Sequence, residues 1–274
     1  MKKNSFLSTL FISIVLLFLY IPIIVIVVYS FNSNMNRIPI TFDGFSLHWY
    51  KSLFSGNHPY SNALGLSFVV AIFSVLLSGI IGTLGAVGIT YKSLISKQKI
   101  TRSDEIMENI VTLPIMIPEI ILAIAFMGLF NAIGISGNIW RLVFAHTTFC
   151  IPYIFISVKS RLIGLDRALF DAARDLGASP LAIFRDITLP LVKPAIVSGM
   201  FLAFAMSMDD FVISYFVYGV GEGTLPMLIY SSVKVGVSLQ INALCTMIIV
   251  IIFTMVALSQ FFKAKKSKAI RESY

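Results

Sequence analysis

The sequence predicts an all-α membrane protein with six transmembrane helices and one long polar loop between the fourth and the fifth. Composition is the first ground. Of 274 residues, 57% are hydrophobic and 12% charged, with a mean hydropathy of +0.90, outside the range of soluble domains. Run length is the second, because a helix needs about 20 apolar residues to cross the hydrocarbon core. Six runs meet that need, at 6–30, 64–90, 106–130, 139–158, 195–217 and 243–262, in one membrane domain covering 1–274. Charge placement is the third. With both termini in the cytoplasm, every Lys and Arg except Arg37, Lys51, Arg141 and Lys234 falls on the inner side, as the positive-inside rule requires. The formal charge of +8 thus reports topology, and no nucleic-acid partner is expected.

The first run follows Met1-Lys2-Lys3 and is long, with no small-x-small cleavage site after it, so it is expected to stay as a span. Its Pro22 is tolerable in a membrane helix. The external stretch 31–61 carries Phe42-Asp43-Gly44-Phe45 and Leu47-His48-Trp49-Tyr50, which suit either an interfacial aromatic belt or a docking surface for an external protein. In the second run Gly79, Gly82, Gly85 and Gly88 recur every three residues; small residues so spaced let helices approach closely. The loop 91–105 is basic and sets topology.

The third run holds Pro114, Pro118 and Glu119. Two prolines remove two backbone donors, so a break near mid-membrane is expected, with the carboxylate beside it. An acid at that depth suggests a water-filled pathway, or a group that satisfies the loosened backbone. The fourth run carries His146, Thr147, Thr148, Phe149, Pro152 and Tyr153, and its lone His reads as a hydrogen-bonded packing element or as a functional group. The fifth holds Asp209-Asp210. On one continuous helix these two point about 100° apart. Asp210 then shares a small, partly polar stripe with Gly199, Ala203, Ser207 and Ser214, which makes it the expected lumen-facing acid, and Asp209 the contact to another helix. At about 1.5 Å per residue, Asp210 lies roughly 10 Å, His146 about 9 Å and Glu119 about 16 Å below the outer ends of their spans. The stretch 219–242 includes an amphipathic segment, 228–237, that suits a gate or a simple cap. Cys150 and Cys245 lie inside spans and read as apolar packers. No metal, haem or iron–sulfur ligand set is evident.

The polar loop runs from 159 to 194. Leu165, Leu169, Ala172 and Leu176 recur at helical spacing beside Arg167, Asp171, Arg174 and Asp175. Gly177 suits a left-handed helix end, and Ser179-Pro180 an N-cap and first position. A second helix presents Leu181, Phe184 and Ile187 until Leu189-Pro190 stops it. Such a helix–turn–helix with apolar knobs fits a protein groove better than a lipid surface.

The residues Asp171, Ala172, Ala173, Gly177, Ile187, Leu189 and Pro190 resemble the Glu-Ala-Ala–Gly–Ile-x-Leu-Pro pattern of the membrane subunits of binding-protein-dependent ABC importers, with Asp for Glu. The resemblance implies a type I ABC importer permease fold. It also implies that the loop, with Ala178 and Phe184 among its contacts, inserts into a separate cytoplasmic ATPase. ATP and Mg then belong to that partner, and this chain needs no cofactor and is not an enzyme; its sequence has no Gly-x-x-x-x-Gly-Lys-Ser/Thr phosphate loop. Tyr20-Ile21-Pro22-Ile23-Ile24, Phe31-Asn32-Ser33, Leu176-Gly177-Ala178-Ser179, Ser207-Met208-Asp209-Asp210 and Val233 to Ser238 further resemble the permeases of spermidine/putrescine importers. These act in a bacterial cytoplasmic membrane with a second permease, two ATPase subunits and an external binding protein.

A polyamine is a flexible polycation that must exchange its hydration for carboxylates or aromatic faces. Glu119, Asp209 and Asp210, with Phe149, Tyr153 and Tyr215, offer both. The same machine carrying a metal ion or an anion is the nearest alternative, although an anion would call for Lys or Arg inside the spans. A proton-coupled secondary transporter relaying protons through Glu119, His146 and Asp210 is another; the absence of an internal repeat across the runs and the ATPase-type loop speak against it. A purely structural subunit is the third, disfavoured by the cost of acids inside spans.

Overall fold

The computed structural model describes residues 3–36, 41–55, 59–94, 101–135, 138–219, 223–236 and 238–254. The protein is mostly helical. Among the described residues the one β feature is an isolated bridge between Asn32 and Phe45. Four helices are long and apolar enough to cross a membrane, and a fifth crossing results if one sharply bent pair counts as a single span. The chain forms two compact units, residues 62–228 and the two flanking parts together.

The flanking unit starts with α1 (Lys3–Tyr29), which passes through Pro22 without interruption. It is apolar on every side and none of its spanning window is buried, the pattern of a helix solvated by lipid or by another chain. After it, Asn32 organises a tight knot. Its Nδ2 donates to Thr41 O (2.7 Å), its Oδ1 accepts from Asn34 N and Asp43 N (3.1 and 3.0 Å), and its carbonyl accepts from Trp49 Nε1 (3.0 Å). The short α2 (His48–Phe54) closes this knot. Phe45, Leu47 and Phe54 stay exposed on it. This unit also holds most of α11 (Leu225–Val235) and α12 (Leu239–Thr254). The predicted sixth span, 243–262, runs beyond α12 and out of the described residues.

The central unit contains nearly all of α3 (Pro59–Leu94), then α4 (Arg102–Met116), α5 (Glu119–Ala132), α6 (Asn138–Ile163), α7 (Arg167–Asp175), α8 (Pro180–Ala182), α9 (Leu189–Asp209) and α10 (Val212–Tyr218). One apolar core runs through it, from Val70 on α3 through Phe126, Phe155 and Phe170 to Val217. α3 lies on α6 at Gly82, where a side chain would sit 3.0 Å from Ile151 O. Gly85 faces Phe155 and Gly79 faces Met200, whereas nothing lies within 4 Å of a Cβ at Gly88. The glycine face thus packs helices along most of its length, but not all of it.

α6 and α9 form the backbone of the unit, antiparallel and tied at nearly every turn. Arg161 Nε donates to Leu191 O (3.3 Å) and Ser157 Oγ to Ala195 O (2.8 Å). Further along, Ile154 lies against Gly199, Cys150 Sγ points at Ala203 O (3.4 Å), and His146 meets Ser207. A Cβ at Gly199 would stand 2.9 Å from Ile154 Cα, so only glycine lets the two backbones come this close.

One expected boundary is corrected here. The helix that carries the fifth run starts well before 195, running unbroken in direction from Pro180 to Asp209. Leu189-Pro190 therefore does not stop the second loop helix. The turn before it, Ile183–Thr188, is a π-turn whose last bond runs from Leu189 N to Phe184 O. Widening that turn relieves the clash and the missing donor that Pro190 would otherwise impose on an α-helix.

Candidate functional site

Two breaks in otherwise apolar helices bring the intramembrane acids together. The first lies between α4 and α5, whose axes differ by 106°. Pro114 sits inside α4 without interrupting it. Pro118 does the breaking: it pushes Ile117 to an extended conformation (φ −82°, ψ 135°) and is itself at ψ 129°. Glu119 follows as the first residue of α5, exposed, where a carboxylate complements the unpaired N–H groups of the first turn.

The second break has no proline or glycine. α9 ends at Asp209, Asp210 is extended (φ −64°, ψ 119°), and α10 starts at Val212. The Asp210 carboxylate turns forward and takes the first free donors of α10, Ile213 N at 3.2 Å and Ser214 N at 2.8 Å, together with Ser214 Oγ at 2.7 Å. His146 Nε2 lies 3.4 Å from Asp210 Oδ2 and 3.0 Å from Ser214 Oγ, and its Nδ1 lies 2.8 Å from Ser207 Oγ. The network assigns the tautomer. Ser214 uses its hydroxyl proton on Asp210 and so accepts from His146 Nε2–H. In the neutral ring Nδ1 then accepts from Ser207. All four side chains are buried, which is tolerable because each polar atom has a partner.

The two aspartates therefore do not share a continuous helix. Asp210 is the buried member, on the side of Gly199, Ala203 and Ser207 and in contact with α6 through His146, and Asp209 is exposed with Leu202 and Ala205; the faces are those of a straight helix, but the contact to another helix, expected of Asp209, falls to Asp210. Glu119 lies within electrostatic range of both, and Tyr153 within range of Glu119. The buried Phe149 ring stands 5.1 Å from that of His146. Tyr215, exposed on α10, lies against Phe211 with ring centroids 5.4 Å apart. α10 packs on both α5 and α6, so the two breaks are neighbours in space. The arrangement gathers negative charge and aromatic faces where apolar helices come apart, suited to holding a cation.

The second site is the polar loop. Asp166 caps α7 by accepting from Ala168 N (2.9 Å). Arg174 and Asp171 pair one turn apart along α7. Gly177 follows in the left-handed region, φ 78°, which closes α7 as its residue type predicts. Ser179 Oγ then accepts from Ala182 N (3.3 Å), with Pro180 at the first helical position. Apart from Leu165, which leans on the core, the apolar periodicity read from the sequence marks the outer face. Leu169, Leu176 and Leu181 are exposed, Leu176 at 89%, whereas Phe170 and Ala173 are the residues buried in the chain's own core. Ala178, Phe184 and Ile187 lean on that core, and Ala172, Leu189 and Pro190 are exposed. At the end of α6 that opens this loop, Lys159 pairs with Glu108 of α4.

The sequence reading missed the Asp210 break, the His146–Asp210–Ser214 contacts and the Glu108–Lys159 pair. One signal was available, because an aspartate three and four residues ahead of free helical donors is a helix-start signature. The ion pair joins residues distant in sequence and had none.

The pattern of the family described as binding-protein-dependent transport system inner membrane component matches residues 93–268. The chain is 40% identical over 234 residues to the spermidine/putrescine transport system permease protein PotC of Haemophilus influenzae, covering 85% of this chain and 88% of that protein. It is 39% identical over 228 residues to the putrescine transport system permease protein PotI of Escherichia coli, covering 80% and 78%. Among solved structures, a bacterial ABC transporter involved in the import of the acidic polysaccharide alginate shares the fold, with a TM-score of 0.67 at 16% identity and 95% coverage of each chain. With a match over most of its length to that family and to two of its permeases, the chain belongs to the binding-protein-dependent transport system inner membrane components, the permease subunits of ABC importers.

Proposed function

We propose that this chain is a membrane-spanning permease subunit of an ATP-driven importer that takes up polyamines such as spermidine or putrescine by alternating access. The observation that carries the reading is the identity of about two residues in five, across most of the chain, with permeases named for those two solutes. The chemistry agrees with it. Glu119 and Asp209 present carboxylates at the breaks, with Tyr153 and Tyr215 nearby; no Lys or Arg lies in the runs 106–130 or 195–217, and the one in 139–158, Arg141, stands at its outer end.

The chain crosses the membrane six times with both termini in the cytoplasm, as the distribution of Lys and Arg supports. It works beside a second permease, two ATPase subunits that bind ATP and Mg, and an external binding protein. The loop 159–194 meets the ATPase. Its Asp171, Ala172, Ala173, Gly177 and Ala178 shape the turn, and the exposed Leu169, Leu176 and Leu181 supply apolar contacts that a protein cleft would bury. Closure of the ATPase pair pushes on the loop, and the tied α6–α9 pair carries the displacement to the acids at its far end.

Co-expression with its partner subunits and reconstitution into vesicles tests the reading. ATP-dependent uptake of labelled spermidine or putrescine is expected. Transport of another solute with neither polyamine moved would overturn the substrate, and uptake by this chain alone under a pH gradient would overturn the class.

A further inference from the structure

The adjacent aspartates at the end of α9 are chemically identical, yet the structure treats them differently. Asp210 is already committed to donors of its own chain. One carboxylate oxygen accepts from Ile213 N, and the other accepts from the backbone and the hydroxyl of Ser214 and faces His146 Nε2 at 3.4 Å. The group is buried, and its neighbours His146 and Ser214 are completely so. An incoming ammonium group would have to displace donors that cap α10, leaving buried N–H groups unpaired, an expensive exchange. Asp209, one residue earlier, is exposed and makes no contact of this kind.

We propose that the pair divides two tasks: Asp210, fixed by His146, is a positioning residue that caps α10 and holds the α9–α10 break open, and Asp209, exposed at the end of α9, joins Glu119 in receiving the cationic groups of the substrate. The proposal rests on the polyamine-importer reading and deepens it. Asp210 lies on the buried side of Gly199, Ala203 and Ser207 that packs on α6, and Asp209 on the exposed side of Leu202 and Ala205. Capping by Asp210 ends the helix at Asp209, and the extended residue that follows redirects the chain into α10, so that the exposed carboxylate stands at a helix end. His146 enters because it reaches both sides of the break at once, Ser207 on α9 and Ser214 on α10. It thereby fixes the separation of the two helix ends while itself anchored in α6. A cation so received meets two carboxylates, Asp209 and Glu119, on different helices, so relative movement of α5 and α9 changes its affinity.

The test compares Asp209→Asn, Asp210→Asn, Asp210→Ala and His146→Ala in the assembled complex, reading spermidine uptake kinetics and the melting temperature. Asp209→Asn removes charge but no cap, and is expected to raise the apparent KM about tenfold with the melting temperature unchanged. Asp210→Ala and His146→Ala are expected to lower the maximal rate about tenfold and the melting temperature too, while KM stays within about twofold. Asp210→Asn keeps an oxygen acceptor for the capped N–H groups, and should recover most of the rate lost in Asp210→Ala. A rise in KM for Asp210→Asn equal to or above that for Asp209→Asn overturns the proposal. Should Asp210→Ala fail to assemble, the two asparagine variants still decide the matter. Wild-type complex that moves no polyamine defeats the functional reading itself, whereas active wild type with the reversed order of variants defeats this division alone.

Discussion

The α6–α9 pair and the α4–α5 pair both carry proline in apolar helices, and only one of them breaks. Pro152 lies inside α6 and Pro194 inside α9, yet both helices run straight past them. Contacts at Ser207, Ala203, Gly199, Ala195 and Leu191 hold α9 to α6 before and after each proline, so a missing backbone bond has no room to open. At Pro118 the chain turns by 106°. There α4 is held to α6 by the Glu108–Lys159 pair, about three turns before the proline, and α5 is held to α10 on the other side. A proline removes one bond and does not break a helix by itself, as Pro22 in the unpacked α1 and Pro114 in α4 also show. The stiff pair and the broken pair therefore suit different tasks, one transmitting displacement and the other giving way.

Substitution at Gly199 should break this contrast most severely. Any Cβ there meets Ile154 Cα at 2.9 Å, and Gly199→Ile adds more bulk still, at a cost of about 3 kcal/mol or above. Complex purified with this variant is expected to be scarce and to melt well below wild type; normal assembly would show that the pair is not tightly fitted. Gly177→Val acts at the loop. A β-branched residue at φ 78° is strained by about 1–2 kcal/mol, which shifts the α7–α8 turn without touching the spans. Membrane insertion and ATP hydrolysis should persist while polyamine uptake falls, and coupled transport at the wild-type ratio would remove the loop from the transmission path. The mildest change is Glu108→Gln, which dissolves the tie between α4 and α6. The pair is partly exposed, with side chains at 32% and 18% for Glu108 and Lys159, so a double-mutant cycle with Lys159→Met should give a coupling of about 1 kcal/mol or less. A coupling several times larger would mean that the broken pair is as firmly held as the stiff one.

Much of the architecture was legible in the sequence because lipid imposes simple rules. The apolar runs, a break near the two prolines, close packing at the glycines, the left-handed Gly177 and the Ser179 cap all follow from local residue chemistry. The break at Asp210 was less legible. With no proline or glycine at 207–212, a hydropathy pattern reads straight through, and the carboxylate that ends the helix is the same group that was expected to face the lumen. The loop showed the opposite difficulty. Its periodic leucines were found, but the residues that pack inward, Phe170 and Ala173, lie one position away from them. Periodicity reveals a face and does not say whether that face turns toward its own core or toward a partner. Long-range ties such as Glu108–Lys159 and His146–Asp210 leave no trace in local pattern at all.

Leu176 and Leu181 stand in the open at the tip of the loop, 89% and 74% exposed, within a polar segment. A copy of this chain made without companions carries that greasy tip into water, and exposed apolar patches of this kind invite aggregation and capture by proteases. Produced alone, the subunit is therefore expected to turn over faster than when co-produced with a protein that covers the tip, a difference that pulse-chase labelling would measure.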